Sequence, residues 1–226
     1  MIDKTVATTA AAVAEIHDGA SVMIGGFGTA GMPAELIDAL IAHGVGDLTI
    51  ITNNAGNGES GVAALIREGR VRKVICSFPR QVDSHHFDAR YRAGEIELEL
   101  VPQGNLAARM QAAGAGLGAI FTPTGYGTIL AKVKEVREIG GRNYVLEYPL
   151  YADFALIKAL HGDRWGNLVY NKTARNFSPV MATAARFTIA QVSVIVPLGA
   201  LDPEAVITPG IFVKRLIQTP VQGGLA

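Results

Sequence analysis

One cysteine, one tryptophan and 7% aromatic residues in a chain of 226 residues leave little room for several common protein classes. A lone Cys76 excludes an internal disulfide and fits a reducing compartment. It lies in the apolar run Val74-Ile75-Cys76-Ser77-Phe78, where a small buried hydrophobe is the expected role rather than a reactive thiol. Charge of either sign is not in excess: twenty Lys and Arg balance twenty Asp and Glu. Such a chain projects no field to gather nucleic acid or an anionic membrane, so its partners must be met at local sites. No apolar stretch approaches the ~20 residues that span a bilayer, and the N-terminus lacks a basic-then-apolar leader. A cytoplasmic protein without nucleic-acid or membrane partners is the expectation.

What the chain does have is apolar content, 49% of residues, arranged in alternating periods. Val6, Ala10, Val13 and Ile16 share one helical face, and Ser21-Val22-Met23-Ile24 reads as a short buried strand. Pro33 suits a first helical position, followed by the stripe Leu36, Ile37, Leu40 and Ile41 with Gly44 as the stop. Strands are expected at Leu48–Thr52, Val71–Phe78, around Ile96 to Leu100 and at Ala119–Phe121, with a short helix from Gly61 to Gly69 and another capped by Asn105. Strands separated by helices imply parallel crossovers with both sheet faces covered. Around Gly140-Gly141 the grammar changes to a β-hairpin. Later strands are expected at Phe154–Lys158, Phe187–Val196 and Ile211–Ile217, with a helix capped by Ser178 before Pro179. Residues 1–226 are expected to form one α/β domain: an open, mainly parallel sheet with helices on both faces and an added hairpin.

The segment Gly25-Gly26-Phe27-Gly28-Thr29-Ala30-Gly31 follows a strand and precedes a helix, and contains G-x-G-x-x-G. Glycines there admit positive φ and let an anion approach bare amides at a helix start. A dinucleotide site also needs an acidic residue at the end of the second strand to bind ribose. That strand ends instead in Asn53-Asn54-Ala55-Gly56-Asn57-Gly58, and Asp47 stands at its beginning, on the wrong edge. A dehydrogenase is therefore disfavoured. A sensor on a related scaffold would need a DNA-binding or partner domain, and no basic helix-turn-helix extension is present.

Taken in order, Asp18-Gly19, Val22 to Phe27, Gly31 and Pro33 resemble the signature of the first subunit of class I CoA-transferases. The same resemblance continues through Asn53-Asn54-Ala55-Gly56, Pro102-Gln103-Gly104-Asn105-Leu106-Ala107 and Thr122 to Thr128. It extends to Ala174-Arg175-Asn176-Phe177, Leu201-Asp202-Pro203 and Thr208-Pro209-Gly210-Ile211. Asn53 to Glu59 and Arg164 to Leu168 resemble the branch acting on 3-oxoadipate. The resemblance implies a CoA-transferase-like fold, CoA and succinyl-CoA as substrates rather than resident cofactors, a carboxylic acid acceptor, and a second CoA-transferase subunit as partner. It also implies that the nucleophilic glutamate comes from that second subunit, in a Glu-Asn-Gly segment that this chain lacks. The glutamate carries first the acyl group and then CoA, which splits a difficult exchange into easier steps.

No catalytic residue is then expected in this chain. Gly25, Gly26, Phe27, Gly28, Thr29, Ala30 and Gly31 are expected to face CoA, with Asn53, Asn54 and Gln103 supporting an oxyanion or carboxylate. Turn chemistry is the competing role for both asparagines and for Gln103. Arg80, Arg109, Arg164 and Arg175 are the candidates for binding a distal substrate carboxylate. Glu59 is expected to be a solvated loop or helix-start carboxylate. His85-His86, with Asp83 and Asp88 nearby, is not expected to bind metal, because adjacent side chains usually diverge and no further ligand pair is suitably spaced.

Overall fold

The computed structural model describes residues 2–219. Seven strands lie side by side in the order β11-β10-β8-β1-β2-β3-β4, every neighbouring pair parallel. They are β1 (Ser21–Ile24), β2 (Leu48–Ile51), β3 (Val71–Cys76), β4 (Glu97–Leu100), β8 (Ala152–Asp163), β10 (Ala185–Val196) and β11 (Val213–Gln218). A short β9 (Leu168–Val169) pairs antiparallel with the end of β8.

The central strand shows why both faces are covered. Val22 and Ile24 of β1 join one apolar cluster with Leu36, Leu40 and Leu65, whereas Met23 joins the other with Leu106 and Met110. Alternate side chains point to opposite faces, and all three of these are fully buried, so each face must carry helices. Helices α1 (Thr9–Val13), α2 (Ala34–His43) and α3 (Val62–Arg67) supply the first layer. Helices α5 (Gln103–Gly114) and α6 (Ser178–Ala184) supply the second. Cys76 is buried in the first cluster, and burial pushes its thiol up to about 12, so it stays protonated and inert.

The hairpin lies between β6 (Val136–Ile139) and β7 (Arg142–Glu147), with φ of 59° and 77° at Gly140 and Gly141, the two left-handed positions of a type I′ turn. It is larger than expected, because β5 (Ile120–Thr122) pairs with β7 to make a separate three-stranded antiparallel sheet. A buried polar knot ties this sheet to α5. Glu147 is 3% exposed and accepts from Asn105 Nδ2 at 2.9 Å and from Lys134 Nζ at 2.6 Å.

Several local expectations are corrected. Asn105 does not cap α5: the helix starts two residues earlier, after Pro102, and the Asn105 amide is spent on Glu147 and on the Thr124 carbonyl. Ser178 is the first residue of α6 rather than its cap, with a buried hydroxyl that has no partner among the described residues. Pro33 precedes α2 as its cap residue. The first helix is only Thr9–Val13, because Val6 N is drawn into a bond with the carbonyl of Leu216 in β11. Helix α4 (His85–Arg92) has no counterpart in the sequence pattern: Phe87 is its only buried residue, so it carries no apolar stripe.

Candidate functional site

In a parallel sheet all strands end on the same edge, and that edge is where open α/β sheets bind ligands. The glycine turn follows β1, the asparagine loop follows β2, Ser77-Phe78 follows β3, and Gln103 follows β4 after Val101-Pro102. The loops that carry the candidates therefore share one edge, but of those residues Gly25, Gly26, Gly28, Thr29 and Asn54 line the cavity there, whereas Phe27, Ala30, Gly31, Asn53 and Gln103 stand outside its lining. Between the glycine turn and the Thr52–Val62 stretch lies a cavity of about 160 Å³, walled by Gly26, Gly28, Thr29, Asn54, Gly58 and Glu59 among others.

The turn itself differs from the arrangement expected of it. Gly26, Gly28 and Gly31 have φ of 126°, 61° and 71°, so the glycines are required by the backbone. Most of the amides are nevertheless already bonded. Gly25 N donates to the Leu156 carbonyl, Phe27 and Ala30 exchange bonds across the turn, and Gly26 N donates to Asn176 Oδ1 at 3.0 Å. Gly28, Thr29 and Gly31 keep amides with no acceptor among the described residues. The start of α2 is filled as well: Leu36 N donates to Gln191 Oε1 at 3.3 Å, and Gln191 Nε2 donates to the Glu35 carboxylate. The phosphate cradle of a dinucleotide fold, a glycine loop opening onto a free helix terminus, is thus not what this G-x-G-x-x-G builds.

Asn176 holds the turn from outside. Its Oδ1 accepts from Gly26 N and Phe177 N, and its Nδ2 donates to the carbonyls of Ala30 and Ala174, at 2.7–3.0 Å. Its own φ of 27° is left-handed, an energetic cost at a non-glycine residue that the four bonds offset. The motif Ala174-Arg175-Asn176-Phe177 is legible as a motif, but nothing in the sequence connects residue 176 to residue 26.

Asn53 is 3% exposed and locked by two segments, the residues after β3 and the start of α5. Its Oδ1 accepts from Gln103 Nε2 and from Ser77 Oγ, both at 2.8 Å, while its main-chain carbonyl accepts from the amides of Ser77 and Phe78. Both lone pairs of Oδ1 are occupied, so the amide plane is fixed and Nδ2 is the donor without an acceptor among the described residues. Gln103 thus touches Asn53 directly. Asn54 is also buried, and its Oδ1 accepts from Gly56 N at 2.9 Å, which is the turn chemistry expected as its competing role.

Glu59 is not an isolated carboxylate. It accepts from Arg67 Nη1 at 2.8 Å and lies 2.9 Å from both His85 Nε2 and His86 Nε2. His86, then Arg67 and His85, hold its carboxyl down to about 2. The adjacent histidines, expected to diverge, instead converge on one acid, with ring centroids 4.1 Å apart. Among the arginines, Arg80 is paired with Asp88 at 2.8 Å and Arg109 with Glu99 at 3.1 Å. Arg164 is engaged as well, and Arg175 is exposed with no ion pair among the described residues. Among those residues no helix is long and apolar enough to cross a membrane.

A seven-stranded parallel sheet with this cavity at its carboxyl edge belongs to a defined class: residues 6–219 match the coenzyme A transferase family model, and the chain is a member of that family. It is 68% identical to the first subunit of the 3-oxoadipate CoA-transferase of Pseudomonas putida, over 96% of this chain and 94% of that protein. It is 50% identical to the first subunit of the succinyl-CoA:3-ketoacid coenzyme A transferase of Xanthomonas campestris pv. campestris, over 92% of this chain and 85% of that one. Among solved structures, an acyl-CoA transferase from Escherichia coli O157:H7 superposes with a TM-score of 0.84 at 23% identity, which establishes the shared fold. The superposition covers 99% of this chain but 48% of that one, so the present chain spans about half the length of that transferase.

Proposed function

We propose that this chain is the first subunit of a two-subunit, cytoplasmic CoA-transferase that moves CoA from succinyl-CoA to a 3-oxo acid, with 3-oxoadipate the preferred acceptor. The 68% identity to a protein of that name supports the substrate, and the single buried, protonated cysteine fits a reducing compartment. The observation that carries the two-subunit reading is the cavity. At about 160 Å³ it holds the reacting end of a thioester but not CoA, since pockets for drug-sized ligands run to about 300–1,000 Å³. Its one glutamate, Glu59, has its oxygens taken by Arg67, His85 and His86, which leaves it poorly suited to attack a thioester. Phe27 in the glycine turn and Phe78 after β3, 55% and 58% exposed, offer apolar surface to a partner.

In this reading the glutamate arrives from the second subunit and attacks the succinyl-CoA carbonyl, expelling CoA thiolate and leaving a glutamyl–succinyl anhydride. The thiolate returns to the glutamyl carbonyl, releasing succinate and a glutamyl thioester, which passes CoA to the acceptor carboxylate by the reverse sequence. Each tetrahedral intermediate carries negative charge on oxygen and needs donors that are already in place. Asn53 Nδ2, pre-aligned by Gln103 and Ser77 next to the cavity-lining Asn54, is the side-chain donor this chain contributes, and the amides of Gly28 and Thr29, which line the cavity, face the thioester end of CoA. A closed interface also keeps water from the anhydride. The purified chain alone should show no transfer from succinyl-CoA to 3-oxoadipate, and adding the second subunit should restore it; activity of the chain alone would remove the shared site.

The second carboxylate of 3-oxoadipate needs a cation. Of the four candidate arginines, Arg80 and Arg109 are held by acids and Arg164 is engaged, whereas Arg175, next to the residue that holds the glycine turn, has no ion pair among the described residues. Arg175→Met should raise KM for 3-oxoadipate about tenfold or more while sparing acetoacetate, which has no distal carboxylate. Parallel losses for both acids would count against this arginine.

A further inference from the structure

At the wall of the cavity that Glu59 helps to form, one side-chain cluster is assembled from two separate segments of the fold. The β2–α3 loop brings Glu59, and the first two residues of α4 bring His85 and His86. One donor atom from each residue lies within 4.8 Å of the other two, and each imidazole Nε2 is 2.9 Å from a different oxygen of the same carboxylate. Two imidazoles and a carboxylate on one face form the ligand set that first-row divalent metals favour, with the open side left for water. Tetrahedral coordination with bonds near 2.0–2.1 Å sets ligand atoms roughly 3.3–3.4 Å apart, so the 2.9 Å Glu–His contacts would lengthen by a few tenths of an ångström and any wider separation, at most 4.8 Å, would close. Glu59 and His85 are more than half exposed, which gives an ion a direct path from solvent. Asp88, the one acid on α4, is already held by Arg80 and takes no part.

We propose that Glu59, His85 and His86 form a binding site for a divalent transition-metal ion, of which Zn²⁺ is the simplest probe. The ion replaces the two N–H···O contacts with metal bonds and fixes the Gly58-Glu59 wall of the cavity to α4. Arg67 opposes it, because its guanidinium donates to the Oε2 that also faces His86. Removing that competitor should strengthen metal binding, an effect that a purely structural ion-pair cluster would not show.

The test is isothermal titration of ZnCl₂ into the full-length, tag-free chain after chelator dialysis. One equivalent per chain is expected. Glu59→Gln and His85→Ala should each weaken it by about tenfold or more, Arg67→Ala should tighten it, and His17→Ala, remote from the cluster, should leave it unchanged. Circular dichroism confirms that each variant is folded, and the exposed His85 gives a substitution unlike the half-buried His86 in folding risk. Absence of binding heat, or binding that Glu59→Gln and His85→Ala leave unaltered, would overturn the proposal. Because the readout is binding, its outcome is independent of whether the chain transfers CoA.

Discussion

Gly31→Ala is expected to destabilise the protein by roughly 2–5 kcal/mol, combining about 1–2 for a left-handed backbone with about 1–3 for overpacking. At φ of 71° a side chain is strained whatever the space, and here there is none. A Cβ at Gly31 would stand 2.0 Å from the Ala174 carbonyl oxygen and 2.6 Å from Asn176 Nδ2. The obstacle is backbone together with the one side chain that latches the turn, so neither can simply swing away. Gly28→Ala is the matched control: its φ of 61° carries the same backbone strain, but a Cβ there meets nothing within 4 Å. Urea unfolding of the two variants side by side should give the Gly28 substitution only about 1–2 kcal/mol. Equal losses would mean that the contact between the turn and the Ala174–Asn176 segment contributes nothing.

Asn53→Asp should lower kcat for CoA transfer by about 10²–10³ in the assembled enzyme, the usual consequence of losing one oxyanion donor. The substitution keeps the side chain's shape and leaves Oδ1 able to accept from Gln103 and Ser77, the two bonds that hold it. What changes is Nδ2, a donor replaced by a carboxylate oxygen. Ser77→Ala removes one of those holding bonds and no donor, and should cost only a few-fold. Initial rates with saturating succinyl-CoA and 3-oxoadipate separate the two cases. If Asn53→Asp fell no further than Ser77→Ala, Asn53 would be a turn residue and the backbone amides of the glycine turn would be left as the donors.

The strands and helices around the site are readable wherever burial imposes a period. Ser21–Ile24 and Leu48–Ile51 are apolar because both sheet faces are covered, and Leu36, Ile37 and Leu40 recur at helical spacing because one face of α2 is buried. Where burial imposes nothing, the pattern is silent. Helix α4 is almost wholly polar, so neither it nor the meeting of its two histidines with Glu59 leaves a periodic trace. Asn105 illustrates the opposite failure: a good capping residue is claimed by a buried acid 42 positions away, an interaction worth more than a cap in a low-dielectric interior.

The sequence by itself determined the fold class, the glycines at Gly26, Gly28 and Gly31, and the absence of a ribose-binding acid after β2, because these follow from local backbone sterics and side-chain type. It also carried the ordered motifs that mark a CoA-transferase first subunit. Only the tertiary structure decided which amides of the turn stay free, because hydrogen-bond capacity is consumed by partners distant in sequence: Asn176 takes the Gly26 amide from 150 residues away, and Leu156 takes that of Gly25. The same holds for Asn53, whose amide is oriented by a glutamine 50 residues on. Local chemistry sets what each group can do; which groups remain available is settled only when the chain has folded back on itself.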